Sequence, residues 1–295
     1  MLLVSLIGEQ PAPNVLPLRH YKPDEVVLIH TARTEALANR IANVIEDEFS
    51  VQRPFCVTDP YLVKEIQSSL VEYLHQYGLW DKELVFNLTG GTKTMVYAAL
   101  EIARQVKAQA FYYQTENNQS LVHPYYFKDG SLIANPPFSI DKRLSLDDYL
   151  RLYIGEYASE ASDNDLEKAI FQVLAAHQSS NFEYLPTVRL KGLSGNVEVD
   201  AVIRYDNQIA ALEIKRTAKK SSMDQLNGVT DQRTLGTYTR KILISATPLD
   251  ENNIELAKAY RIQTIILESG LDGQLSEEDA VFLWEEIVKS MAPRR

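Results

Sequence analysis

The sequence predicts an α/β protein of two domains, and three observations support that prediction. Its 295 residues are about twice the roughly 150 expected of one domain. In the first half, short buried apolar runs alternate with stretches whose apolar residues recur every three or four positions, the pattern of a parallel sheet covered by helices. In the second half a helix precedes consecutive strand-like runs and then further helices, a mixed α/β layer of a different kind. The small, acidic, polar stretch GEYASEASDND at 155–165 marks the break. The expected domains are therefore 1–145 and 162–295, with 146–161 as linker.

Each element has its own signal. Residues 2–7 and 26–30 are continuous apolar runs bounded by polar residues, hence buried strands. Leu37, Ile41, Val44 and Ile45 form one helical stripe, and Leu62, Ile66, Leu70, Tyr73 and Leu74 a second. Residues 84–88 make a strand, followed by a helix striped with Val96, Ala99, Leu100, Ala103 and Val106, and by a strand at 109–114. This half is Rossmann-like. Asp129-Gly130 between apolar stretches predicts a hairpin across 122–133, and 144–154 a short connecting helix. Beyond the break, Ser162 or Asp163 signals the cap of a helix carrying Leu166, Ala169, Ile170, Val173 and Leu174. Strands are expected near 184–190, 196–204 and 208–216, then a helix at 222–235, a strand at 241–246, a helix at 250–260, a strand at 263–267 and a final helix.

Composition narrows the function classes. Forty Asp and Glu against 30 Lys and Arg leave a formal charge of −10, which argues against a general nucleic-acid coat but not against a local basic pocket. A lone Cys56 excludes an intrachain disulfide and a cysteine-rich zinc site. No apolar run approaches the roughly 18–20 residues of a spanning helix, and the first residues lack a basic leader. A reducing cytoplasm and no membrane partner are expected.

The strongest feature of the second half is the hairpin NVEVDAVIRYDNQIAALEIKRT. If Asp206-Asn207 is a two-residue turn, Tyr205 pairs with Gln208, Asp200 lies opposite Glu213, and Glu198 opposite Lys215. Period two places Glu213 and Lys215 on one face and Leu212 and Ile214 on the other. Two carboxylates with β-carbons about 5 Å apart repel, and a divalent cation between them reverses that sign, with oxygen ligands suited to Mg²⁺ or Mn²⁺. Lys215 is then placed to orient or activate water, or to stabilise charge on a phosphate. Glu167 shares a helical stripe with Ile170 and Leu174 and is a further candidate. The alternative is a solvated sheet face with a Glu198–Lys215 ion pair and Glu167 favoured by its helix dipole.

D-x12-E-x-K on a hairpin behind a helix with an acidic residue resembles the PD-(D/E)xK, or restriction-endonuclease-like, nucleases. Val199 stands where that motif has its proline-aspartate lead. The resemblance implies that Asp200, Glu213 and Glu167, with Ile214 beside them, hold the metal and that Lys215 is catalytic. Met223-Asp224-Gln225-Leu226 resembles the family's polar substrate-facing helix, which makes Gln225 a catalytic candidate.

In the first half, Asn87-Leu88-Thr89-Gly90-Gly91-Thr92-Lys93-Thr94-Met95 leaves a strand and enters a helix. Two glycines permit close approach of a ligand, and free N–H groups at the helix start, with Lys93, attract an anion. The spacing is neither G-x-G-x-x-G nor G-x4-G-K-[ST], which speaks against dinucleotide binding or ATP hydrolysis of the usual kind. The alternative is a tight turn with an exposed lysine. Gly8-Glu9-Gln10-Pro11 and His30-Thr31-Ala32-Arg33-Thr34 follow the first two strands, and ligands collect beyond the carboxyl ends of such strands. Gln114-Thr115 is a weaker candidate for the same rim, and His30 reads as an ordinary strand-end histidine.

NLTGGTKTM, SLIGEQPAPN and IHTART resemble the CARF (CRISPR-associated Rossmann-fold) sensor domains, over roughly residues 1–145. With the nuclease resemblance behind it, the chain resembles the CARF–nuclease effectors of type III CRISPR systems. That implies a homodimer binding a cyclic oligoadenylate, usually cyclic tetra-adenylate, at its two-fold axis. The ligand residues it implies are Gln10, Pro11, Thr31, Arg33, Thr34, Asn87, Thr89, Gly90, Gly91, Thr92, Lys93, Met95 and Thr115. Arg233 and Leu235-Gly236-Thr237-Tyr238 also look like that group. The expected function is a cyclic-oligoadenylate-activated, metal-dependent endonuclease cutting single-stranded RNA or DNA. A nucleotide-sensing binding protein with an inert nuclease-like domain, or a ring nuclease degrading the cyclic nucleotide, is the alternative. RNA is not distinguished from DNA.

Overall fold

The computed structural model describes residues 1–116, 119–190, 197–231, 234–236 and 238–292. Arg233 and Thr237, singled out above, lie outside the described residues. The chain divides into two compact units, 1–144 and 145–295.

The first unit runs β1 (Leu2–Leu6), α1 (Ala12–Tyr21), β2 (Glu25–His30), α2 (Glu35–Ile45), β3 (Ser50–Val51), β4 (Cys56–Val57), α3 (Val63–Gln76), β5 (Leu84–Asn87), α4 (Lys93–Gln105), β6 (Gln109–Glu116), β7 (Gln119–Lys128), β8 (Ser131–Ala134) and β9 (Phe138–Ile140). The sheet order is β3-β2-β1-β5-β6-β7-β8. Its pairs are parallel from β3 to β6 and antiparallel beyond. The parallel core is the expected one, and the sheet continues from it as an antiparallel edge.

Alternation along the strands splits their side chains between two faces. Leu2, Val4, Leu6, Val27, Ile29, Leu84 and Phe86 share one core with Ile66, Leu70 and Leu74 of α3 and Met95, Ala99 and Ile102 of α4. Burying that many large side chains is the main stabilising term. The hairpin β7–β8 turns at Asp129-Gly130, both with positive φ, the conformation a two-residue turn requires.

The second unit runs α5 (Leu146–Tyr153), β10 (Tyr157–Ser159), α6 (Asp165–Ala176), β11 (Phe182–Leu190), β12 (Val197–Tyr205), β13 (Gln208–Lys215), α7 (Lys220–Val229), β14 (Arg240–Ser245), α8 (Glu251–Ala259), β15 (Ile262–Ile266) and α9 (Glu277–Met291). The sheet follows chain order from β10 to β15, antiparallel through β13 and parallel from β13 to β15. One face packs on α6 and α9 through Leu212, Ile214, Ile244, Ile170, Leu174, Leu283 and Ile287. The other packs on α5 and α7 through Val202, Ala211, Leu243, Leu150, Met223 and Leu226. The helix α6 is capped by Asn164, whose Oδ1 accepts the N–H groups of Leu166 and Glu167, one or two residues later than expected.

Residues 146–161 are not a linker. The α5 helix buries Leu146 and Leu150 in the second core, and β10 adds a strand to β11. Ser145 caps α5 through Asp148 N–H, and Glu183 accepts the N–H of Leu146 at 2.6 Å while its other oxygen holds buried Arg204 at 2.6 Å. The helix expected at 144–154 is present, but its 3.6-residue apolar period gives it a face that packs in the second core instead of merely connecting two domains. Leu150→Ala is therefore expected to cost about 2–5 kcal/mol, read as a fall in the denaturation midpoint of the full chain. A change within about 0.5 kcal/mol, as at a solvent-exposed linker, would contradict this packing.

Candidate functional site

The acidic edge of the second unit begins where a ladder ends. The pairing of β12 with β13 runs from Tyr205↔Gln208 to Ala201↔Leu212, the register expected from the Asp206 turn, where φ is positive. One step on, Asp200 replaces the ladder: its Oδ2 accepts the N–H of Ile214 at 2.7 Å. Lys215 reaches the same oxygen at 2.8 Å and comes within 2.9 Å of Glu213 Oε1. Asp200 and Glu213 are buried, and among the described residues the Lys215 ammonium is the partner of Glu213 Oε1. Glu198 pairs instead with Arg189 on β11 at 2.7 Å, so the solvated Glu198–Lys215 pair is not what this hairpin forms.

Two carboxylates around one ammonium leave a negative excess in a dry place. Burial, and then the charge of Asp200, push Glu213 up to about 7. Burial pulls Lys215 down, but Asp200 and Glu213 more than offset it, so its ammonium is held above the ordinary lysine range. Glu167 is also raised, first by burial and then by Asp200, while Ser162 donates to its Oε2 at 2.6 Å.

The expected ligand set is only partly assembled. Among the described residues no group of three or more His, Cys, Asp or Glu is placed to hold a metal ion. The reason is the layer each acid belongs to. Glu167 rides on α6, which covers the Leu212–Ile214 face, whereas Glu213 and Lys215 alternate to the other face. Ile214 itself is core, and only its main chain is available. The carbonyl of Lys215 is taken by Ala246 N–H on the β14 side, so alternation turns the Ile214 carbonyl, like its N–H, toward Asp200. Two buried carboxylates sharing one ammonium, together with a main-chain carbonyl, are hard oxygen donors, and they fit a divalent cation. Gln225 braces the edge: its Nε2 donates to the Glu198 carbonyl at 2.8 Å, tying α7 to the start of β12.

In the first unit the strand ends converge as a parallel sheet requires. A Cβ on Gly90 would lie 2.0 Å from the Leu6 carbonyl oxygen, and Gly91 has φ of +76°. The glycine turn therefore packs backbone to backbone against the loop after β1. Thr92 caps α4 by accepting Met95 N–H, and its hydroxyl and that of Thr94 both sit 2.5 Å from the Pro60 carbonyl. Lys93 is exposed at the first position of α4. Arg33 forms an ion pair with Glu9, which joins the two neighbouring loops, with Gln10 beside Glu9. Thr31 and Thr34 are engaged with each other in a capping box.

Several of the expected ligand residues are engaged within the protein itself. Asn87 is fully buried; its Nδ2 donates to Ser5 Oγ and the Pro13 carbonyl, and its Oδ1 accepts from Thr89 N–H and Oγ1. That is its whole hydrogen-bonding capacity. Thr89 Oγ1 in turn accepts Tyr113 N–H, locking the turn to β6. Met95 is in the core against Gly91, and Pro11 is buried at the start of α1. Thr115 lies further out on the β6–β7 hairpin beside Tyr113. His30 is buried, bonded to its neighbour's carbonyl. The sequence analysis missed the Asp59-Pro60-Tyr61-Leu62 segment. Its Pro60 carbonyl anchors the start of α4, and Tyr61 and Leu62 are exposed, as is Tyr97 on α4. The Asp-Pro pair, a turn signal, was the clue.

The sequence matches the Card1 CARF domain family over residues 2–149. No curated protein sequence matches the chain. Among solved structures it is similar to Can2 from Sulfobacillus thermosulfidooxidans in complex with cyclic tetra-adenylate, at 15% identity over 98% of this chain and 99% of that one, with a TM-score of 0.67. Protein VC1899 from Vibrio cholerae gives 14% identity, 99% of each chain and a TM-score of 0.69. A type III CRISPR defence DNA nuclease activated by cyclic oligoadenylate matches 100% of this chain and 52% of its own length, at 16% identity and a TM-score of 0.60. The fold expected for both halves is thus the fold of known proteins. Among the described residues no helix is long and apolar enough to cross a membrane.

The raised Glu213 has a measurable sign. A folded-state pKa above the unfolded value means that the folded protein binds the proton more tightly. In metal-free buffer that stability is fully present below about 4.5 and is lost as pH rises through about 7. The thermal midpoint is expected to fall between pH 5 and 8 by more in the wild type than in Glu213→Gln; parallel profiles would contradict the assignment.

Proposed function

Because the chain belongs to the Card1 CARF domain family, we propose that its first unit senses a cyclic oligoadenylate and that its second is a nuclease switched on by it. Cyclic tetra-adenylate, the ligand named for the Can2 structure, is the first ring to test. The type III CRISPR defence nuclease with the same fold supports placing the protein in that defence.

In the sensor, the Gly90-Gly91 turn keeps side chains out of the way while the open N–H groups of α4 face the rim. Lys93 supplies the positive charge for a phosphate. Gln10, Arg33 and Thr34 flank it, while Asn87 and Thr89 hold the turn. A ring of repeated phosphates has its own symmetry, which suits two copies of this cradle across a two-fold axis. Exposed Tyr61, Leu62 and Tyr97 beside α4 supply apolar surface for such a homodimer.

The single observation that carries the nuclease reading is Asp200, Glu213 and Lys215 gathered at one strand end, two buried carboxylates around one ammonium. Asp200 and Glu213, with the Ile214 main chain, would hold Mg²⁺ or Mn²⁺, and Glu167 adds negative charge nearby. A bound divalent ion supplies Lewis acidity and a water of lowered pKa. Lys215, held protonated, stabilises negative charge building on the phosphate and does not serve as the base. Gln225 steadies the strand end that presents Asp200. Single-stranded RNA and DNA are both candidate substrates.

Labelled single-stranded RNA and DNA incubated with Mn²⁺, with and without cyclic tetra-adenylate, test the whole scheme. Cleavage is expected only when metal and activator are both present. Glu213→Ala is expected to lose cleavage while binding activator normally; full activity in that variant would sink the metal site. Lys93→Ala removes one charge-assisted hydrogen bond from each protomer, worth about 1.5–3 kcal/mol apiece, so activator affinity should drop by at least roughly 100-fold. Unchanged affinity would remove Lys93 from the cradle.

A further inference from the structure

The second unit contains a cavity whose charged lining is of a single sign. It measures about 400 Å³ and lies where β14 and β15 begin and α9 ends. Arg240, Lys241, Arg261 and Lys289 line it together with Gln263 and Ser290, and no Asp or Glu does. The parallel register places it far from the acids, since Arg240 lies level with Ala210 and Ser245 with Lys215. Five residues of strand separate the two rows, about 17 Å at 3.3 Å per residue.

Four cations in one cavity repel one another, and a chain of net charge −10 does not gather them by composition. The fold holds two of them in place by hydrogen bonds. Lys241 donates to Asn227 Oδ1 at 2.5 Å and to the Tyr260 carbonyl at 2.8 Å. Arg240 donates to Gln208 Oε1 and to the Ala292 carbonyl. The two acceptors of Lys241 satisfy its hydrogen bonds without cancelling its charge. Burial and then the nearby Arg261 both disfavour the Lys241 ammonium. Arg261 is exposed and forms no ion pair among the described residues. Lys289 pairs with Glu286 at 2.8 Å on the exposed side of α9, a contact worth little in water.

An anion relieves this repulsion, and the volume is that of a small-ligand subsite. Guanidinium forks match phosphate oxygens, and ammonium groups add point charge. We propose that this cavity is a second subsite for nucleic acid, binding phosphodiester groups of the strand whose scissile bond sits at Asp200 and Glu213. This rests on the nuclease reading of the second unit. At a stacked rise of 3.4 Å per nucleotide the separation corresponds to about five nucleotides, so the subsite acts on strands longer than that.

The test uses the full chain in metal-free buffer, where no cleavage confuses binding. Anisotropy of labelled single-stranded oligonucleotides is measured across about 50–200 mM salt for the wild type and for Arg261→Gln/Lys289→Gln, two exposed positions whose loss leaves the brace around Lys241 intact. Loss of two phosphate contacts is expected to shrink the slope of log affinity against log salt by about 1.4, at about 0.7 per contact. An unchanged slope with an unchanged thermal midpoint overturns the subsite. Inorganic pyrophosphate is the second probe: if it stabilises the wild type but not the double variant, while both bind oligonucleotide alike, the cavity serves a free polyphosphate and the nucleic-acid assignment falls. The nuclease reading fails separately. A wild type that never cleaves but shows the variant-dependent slope keeps this subsite and loses the catalytic one, and the converse result does the opposite.

Discussion

Two buried carboxylates share one ammonium at the end of β13, and much of the second unit is arranged around that imbalance. Asp200 takes the N–H of Ile214 that the ladder would otherwise have used, so the sheet opens at the point where the charges collect. In a low-dielectric edge the excess negative charge is costly, and the protein meets it in two ways. Glu213 holds its proton to about 7, and Lys215 holds its own more tightly. Both are responses to a missing positive charge, which is why the same edge suits a divalent cation. The second core supports this arrangement on both faces, with Leu212 and Ile214 fixing one side of β13 and Ala211 the other.

The first unit solves the opposite problem with backbone. Its chain is acidic, yet the rim beyond β1, β2 and β5 offers N–H groups, Lys93 and Arg33. Gly90 lets the turn pack backbone to backbone against the loop after β1, since any Cβ there would collide with the Leu6 carbonyl. Buried Asn87 stitches β5 to Ser5, Pro13 and Thr89, so a loop made of small residues is nonetheless rigid. Arg33 is already paired with Glu9, which leaves Lys93 as the exposed cation at the start of α4. Rigidity here matters because a preorganised cradle spends less binding energy on ordering itself.

Both units place their chemistry at the carboxyl ends of parallel strands, where open backbone groups and loops meet. The second unit adds a charge asymmetry along its sheet, acids at the carboxyl ends of β13 and cations at the amino ends of β14 and β15. Separating the two by the length of a strand keeps the lysines and arginines from neutralising the acids.

The sequence by itself determined the elements and the pairing of the hairpin. A two-residue turn at Asp206-Asn207 and a period of two fix the register from Tyr205↔Gln208 to Ala201↔Leu212, which brings Asp200 to the end of β13 beside Glu213 and Lys215. The same holds for the glycine turn between β5 and α4, because strand, small residues and helix follow one another directly in the chain. Tertiary structure decided what each polar residue does there. Asn87 and Met95 share a motif with Lys93, but packing buries the first two and leaves the third exposed. Glu167 carries the right chemistry on a helix assigned to the other face of the sheet, and local periodicity does not say which face a helix will cover. The helix expected at 144–154 reads as a connection, and it joins the second core as α5, with β10 after it, only because Leu146, Leu150 and the edge of β11 need covering. The basic cavity has no local signature at all: Arg240, Arg261 and Lys289 lie on three separate elements, and only the parallel register of β14 with β15 and the end of α9 bring them together.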